Sequence, residues 1–289
     1  MMRASPDGTG RNMWTEIGLP LFLSAMLFAL GVAPAAAAPK AEPWPFWAAN
    51  DPESRTSIDH APWDRFLKKY VVTNPPSGIN RVRYASVTPD DRKNLDAYVQ
   101  KLQQVEVTRL NRPEQEAYWI NLYNALTVKV ILDHYPVKNI RDIKISPGLF
   151  SSGPWGANLL TIQDQKVSLN DIEHRILRPL WKDNRVHYAV NCASLGCPNL
   201  QPEAFTPENS ESLLEKGTRE YVNHPRGVRP VGDRLQLSSI YDWFQADFGG
   251  SEEGVLRHLQ QFAGPDVAGR LRGFHGKILY DYDWRINEP

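Results

Sequence analysis

One stretch leaves this chain little choice of fold. Residues 116 to 132 read EAYWINLYNALTVKVIL, helical in spacing and apolar on nearly every side. A helix of that kind cannot rest on a surface and must be buried. Asn111 and Pro113 start it, and His134, Tyr135 and Pro136 end it, so the predicted helix runs from Pro113 to about Asp133. Asn121 and Asn124 lie on one stripe of this buried surface. A buried amide costs about 1–3 kcal/mol unless its hydrogen bonds are satisfied. The pair must therefore pin a neighbouring loop or line a cleft.

The remaining pattern alternates short helices with short strands. Trp63, Phe66, Leu67 and Tyr70 mark a helix over 59–71, and Thr88 caps one that opens at Pro89. Residues 140–155 carry two Pro and two Gly and read as a long irregular loop. Residues 159–169 read as a hairpin, and Ser168 or Asn170 caps a helix to about Leu177, before Pro179. A helix follows over 206–223, then a Pro/Gly loop over 224–233 and a strand at Leu235 and Leu237. Further helices start at Ser239 and Ser251, and a late strand spans 278–284. The expected fold class is α+β, helices packed on a small, mainly antiparallel sheet, with His187 to Val190 as its central strand. By analogy alone, a papain- or transglutaminase-like arrangement ranks first. With 289 residues and 42% hydrophobic content, one large domain over 59–289 is expected, preceded by an irregular lead-in over 39–58.

Charge is balanced, 33 basic against 33 acidic residues, and no basic run of five occurs, which argues against nucleic acid as a partner. Residues 1–38 read as a signal peptide. Arg3 and Arg11 give a weakly positive start, Ile17 to Val32 is an apolar run, and Ala35 to Ala38 supply small residues for cleavage after Ala37 or Ala38. A periplasmic or secreted location without a membrane anchor follows as an expectation.

Both cysteines fall in one stretch, Arg185 to Leu200, RVHYAVNCASLGCPNL. A strand that delivers Cys192 to a sharp turn at Gly196 is one way to present a nucleophile; a structural disulfide or two buried thiols is the other reading. Cys-x-x-x-x-Cys is not the spacing of a redox dithiol motif. His187 lies about 16 Å from Cys192 along an extended strand, so His174, on the preceding helix, is the better candidate base. Glu173 either orients the site or closes a capping box with Asn170. Asn191, Asn124 or backbone N–H groups would hold an oxyanion, and Trp155, in the long loop, would touch the ligand. No phosphate loop, dinucleotide fingerprint, zinc spacing or G-x-S-x-G elbow is present, so no metal and no cofactor is expected.

The segments YWINLYNALTVKVI, LNDIEHRILRP, RVHYAVNCASLGCPNL, REYVNHPRGV, LSSIYDWFQADFGG and YDYDW together resemble the domain-of-unknown-function family numbered 547, over roughly Tyr118 to Trp284. The resemblance implies no settled activity. It implies that Glu173, His174 and Cys192 are the recurrent polar set, in a cysteine-hydrolase-like site. It also implies that a Cys192–Cys197 disulfide is not what the family is built on, since plant members tend to carry Ser at the position of Cys197. The plant coiled-coil extension is absent. Two functions are then open. One is a thiol-dependent hydrolase or acyl-transferase acting on an amide, peptide or ester. The other is a periplasmic ligand-binding or scaffold module without catalysis.

Overall fold

A computed structural model describes residues 39–148 and 151–289; the expected signal peptide lies outside the described residues. Three helices come first: α1 (Ala61–Tyr70), α2 (Pro89–Gln103) and α3 (Arg112–His134). Their starts follow from side-chain caps, since Thr88 accepts from the Asp91 N–H and Asn111 from the Glu114 N–H. Between α1 and α2 lie two short antiparallel strands, β1 (Val71–Val72) and β2 (Arg81–Val82). The centre of α3 is buried on all sides, as its composition requires.

Next comes the hairpin β3 (Leu160–Ile162) and β4 (Gln165–Val167). Its turn residues, Gln163 and Asp164, both take left-handed φ, at 46° and 61°, as a two-residue hairpin loop requires. Ser168 and Asp171 then cap each other and start a helix of unusual winding. Asp171–Leu177 is a π-helix, followed by one α-turn, α4 (Arg178–Trp181). Asn170 makes no side-chain cap, so the alternative role of Glu173 as its capping partner does not hold.

Pro179 leaves two helix carbonyls to be satisfied from elsewhere. It has no N–H to offer the carbonyls of His174 and Arg175. The lead-in supplies the missing donors: the Glu42 N–H donates to His174 O at 3.1 Å, and the Trp44 N–H to Arg175 O at 3.0 Å. The helix therefore runs on through Pro179 to Trp181, four residues beyond its expected end.

The predicted central strand is a helix. Val186–Ala189 forms α5, started by the Asp183 and Asn184 carbonyls, and only Val190 is extended. A short, mostly apolar run does not distinguish strand from buried helix by period alone. The chain continues with α6 (Ser210–Val222), β5 (Val228–Val231), β6 (Arg234–Ser238), α7 (Ile240–Trp243), α8 (Glu252–Phe262), α9 (Pro265–Leu271) and β7 (Ile278–Asp281). β5 replaces part of the expected Pro/Gly loop. It tolerates Pro230 because it is the edge of the sheet β5-β6-β7. β5 pairs antiparallel with β6, and β6 parallel with β7.

The fold is α+β, with small, mainly antiparallel sheets. One hydrophobic cluster surrounds α3; a second lies among α6, α8 and the three-stranded sheet. Among the described residues no helix is long and apolar enough to cross a membrane.

Candidate functional site: a polarised thiol beside a buried acid–base cluster

The cysteine loop is held by amide side chains. Asn124 on α3 donates to Ala189 O at 2.9 Å and accepts from the Asn191 N–H at 2.8 Å. Asn191 in turn accepts from the Ala193 N–H at 2.8 Å and donates to Pro198 O at 2.7 Å. Both amides are thus engaged with backbone, and they act on Cys192 by shaping its loop. Asn121 does the same for Phe205.

Immediately after Cys192, the buried Ala193 sits at φ 59°, a left-handed conformation that is uncommon for alanine and costs about 1 kcal/mol or more. The last described residues brace it. The Asn287 N–H donates to Ala193 O, the Leu195 N–H to Arg285 O, and the Gly196 N–H to Asp283 O. A Cβ at Gly196 would lie 2.8 Å from the Asp283 nitrogen, so only glycine lets this segment come so close.

Both cysteines are free. Cys192 is half-buried, and its Sγ lies 3.1 Å from Ser194 Oγ and 3.1 Å from Tyr282 Oη. Ser194 Oγ also lies 3.1 Å from Tyr282 Oη, closing a triangle. Hydrogen bonding from Cys197 draws the Cys192 thiol below its ordinary range; burial opposes this, and the Ser194 and Tyr282 hydroxyls reinforce it. Burial pushes the Cys197 thiol well up, and Cys192 adds to the effect. The two thiols are inequivalent. Burial also keeps Tyr282 protonated, so it remains a donor.

The π-helix contributes a separate cluster. Its winding keeps the consecutive Glu173 and His174 both buried. Glu173 Oε1 lies 3.8 Å from His174 Nδ1 and 3.8 Å from His187 Nδ1, while Oε2 accepts from Tyr123 Oη at 3.1 Å. His187 Nε2 donates to Asp247 Oδ2 at 2.7 Å, and Arg178 Nε donates to the same oxygen at 2.6 Å. Burial alone would raise the Asp247 carboxyl; the bonds from His187 and Arg178 hold it well below the usual range. His174 Nδ1 accepts from Arg178 at 3.0 Å, so His174 is neutral with its proton on Nε2. Burial depresses its pKa further, against the pull of Glu173. Phe244 stacks on His187 at 4.3 Å.

Among the described residues neither imidazole is a hydrogen-bond partner of Cys192. The two groups communicate through Glu173, whose charge opposes ionisation of Cys192. The π-helix thus gathers Glu173, His174 and His187, while Asn124 and Asn191 gather around Cys192. Trp155 does not touch the thiol and is linked to it only through two other rings. Its ring lies 5.9 Å from Trp284, which lies 4.6 Å from Tyr282. Its ring also covers Gly153, where a Cβ would sit 2.0 Å away and φ is +75°. Tyr282, Ser194, Asp247, Arg178 and Tyr123 were not singled out from the sequence. Arg178 alone had a local signal, one turn after His174.

Residues 107–222 match the family model described as "Protein of unknown function, DUF547". That segment is similar to DUF547. The matched region holds both cysteines and the whole π-helix; Asp247 and Tyr282 lie beyond it. No curated protein matches the chain, and no solved structure does.

Proposed function

We propose that the chain is a thiol-dependent hydrolase or acyl-transferase acting on an amide, peptide or ester, with Cys192 as its nucleophile. The observation that carries this reading is the triangle of Cys192, Ser194 and Tyr282, which favours a thiolate at a half-buried position. The thiolate attacks the substrate carbonyl, and the electron pair moves onto oxygen. The Ser194 N–H, which donates to no group among the described residues, and the Tyr282 hydroxyl are the donors closest at hand for that oxyanion. Glu173 takes the thiol proton and returns it to the leaving amine or alcohol, while His174, whose Nδ1 accepts from Arg178, stands beside the carboxylate and orients it. Trp155 and its aromatic neighbours form the wall that receives a small-molecule or peptide substrate. The test is acylation of the reduced protein by a short activated ester, read by intact mass. An acyl adduct on Cys192, absent in Cys192→Ala, supports the reading; no adduct and no turnover sinks it.

A second reading, a ligand-binding or scaffold module, is favoured by the imidazoles. His187 spends Nε2 on Asp247, and His174 spends Nδ1 on Arg178. A cavity of about 220 Å³ borders Gly196 and Tyr282, with Arg226, Arg229, Asp281 and Asp283 in its lining. Ligand affinity that survives Cys192→Ala, without any acyl adduct in the parent, would select this reading.

We also propose that the chain is a bacterial exported protein, periplasmic or secreted, on the strength of Arg3, Arg11, the apolar run and Ala35 to Ala38. N-terminal sequencing of periplasmic material should begin near Ala38 or Pro39. An intact Met1 in the cytosol would refute export.

A further inference from the structure

Cys197 forms and breaks no bond in the steps proposed above, yet its sulfur lies against the nucleophile's backbone. The Cys192 N–H donates to its Sγ at 2.9 Å, which folds the loop back so that the second sulfur lies under the first residue. Cys197 is buried and Cys192 is half-buried. A solute that reaches this pair meets Cys192 first.

We propose that Cys197 is the resolving thiol of Cys192, and that the pair is an oxidative modification site that closes reversibly into a disulfide. The oxidant is a hydroperoxide. The Cys192 thiolate attacks one peroxide oxygen; an S–O bond forms, the O–O bond breaks, and sulfur gives up two electrons. The departing oxygen takes a proton and leaves as water or an alcohol. Cys197 then gives up its proton and attacks the sulfenic sulfur; the S–S bond forms, the S–O bond breaks, and the hydroxyl leaves as water. Thiol exchange with an external dithiol restores both cysteines.

The geometry supports each step. The Cys192 N–H already lies 2.9 Å from Cys197 Sγ, and Asn191 and the Asp283 carbonyl hold the loop between the two cysteines closed, so the two residues stay neighbours during closure. Burial keeps Cys197 as a thiol, so it does not compete for oxidant before the sulfenic acid forms. The role assigned is protection of a reactive cysteine, which needs proximity and not the spacing of a redox dithiol motif.

The test is peroxide titration of the purified, reduced protein, followed by intact mass and peptide mapping. The expected result is a loss of two hydrogens, a Cys192–Cys197 cross-linked peptide, and full recovery of iodoacetamide labelling after dithiothreitol. In Cys197→Ser the same dose should add oxygens to Cys192, and most of the labelling should be lost for good. Oxygen addition to Cys192 in the parent protein, with no cross-linked peptide, would overturn the proposal. So would complete recovery of labelling in Cys197→Ser. The mapping of the parent decides the matter even if the variant fails to fold. None of these readouts measures turnover, so a disulfide in a protein that never acylates would support this inference and count only against the hydrolase.

Discussion

Around Cys192 the polar groups are neutral: two hydroxyls, a second thiol and backbone amides. Around Glu173 they are charged or chargeable: two carboxylates, a guanidinium and two imidazoles. The first region lowers a thiol pKa with donors alone. The second spends its charges on itself, Asp247 taking both Arg178 and His187. A neutral setting can tune reactivity at little cost in stability, whereas a buried ionic cluster collapses when one member is lost. Changes in the loop should therefore show in reactivity, and changes in the cluster in stability.

Acid loads the chargeable side most heavily. His174 is held neutral by burial, and so are His60 against Tyr98 and His258 against Tyr188, these two lowered to about 4. A histidine whose folded pKa is depressed binds more protons when unfolded, so its contribution is present above about 6.5 and lost as pH falls towards 4. The loss should reach about 3 kcal/mol for each of His60 and His258. Asp247, also depressed, adds loss of the same sign at still lower pH. Urea unfolding between pH 7 and 4 checks this; a flat profile would contradict the neutral assignment.

Asp247→Ala leaves Arg178 and His187 without their shared acceptor. It should cost about 3–5 kcal/mol in urea unfolding, while the pH profile of Cys192 labelling stays in place. A displaced profile would show that the two regions are one. Gly196→Ala attacks the loop from its braced side, because the new Cβ meets the Asp283 backbone. A cost of about 1–3 kcal/mol, with slower labelling, is expected from calorimetry and alkylation kinetics.

Tyr282→Phe removes one donor from the thiol. Iodoacetamide labelling near neutral pH should slow about fivefold, the value of a hydrogen bond of about 1 kcal/mol, with stability nearly unchanged. Unaltered kinetics would mean that the hydroxyl does not polarise the sulfur. The smallest effect belongs to Glu173→Gln, which removes the charge opposing the thiolate. Labelling should quicken by roughly twofold, an effect of about 0.5 kcal/mol. A slowing would show that Glu173 acts on Cys192 more as a proton acceptor than through its charge.

Local chemistry was the legible part. Thr88, Asn111 and Ser251 mark helix starts by their own side chains, and the apolar stretch after Asn111 demanded burial; all four appear in the fold as expected. Cys192, Glu173 and His174 could be named because their types stand out. Their arrangement could not. The π-helix depends on Pro179 and on two N–H groups from the lead-in, more than a hundred residues earlier. α5 reads as a strand because a short, mostly apolar run fits either period. Tyr282 and Asp247 reach their partners across 90 and 60 positions, and no local pattern announces such pairs.

During synthesis Cys192 leaves the ribosome long before Tyr282, Asp283 and Asn287 exist. Until they arrive, the Ala193 carbonyl and the Leu195 and Gly196 N–H groups have no partners, and the thiol has no tyrosine beside it. Contacts this far apart in sequence form late. The nascent chain carries a cysteine without hydroxyl partners through most of its manufacture, and the thiol meets Tyr282 only when the segment after β7 docks.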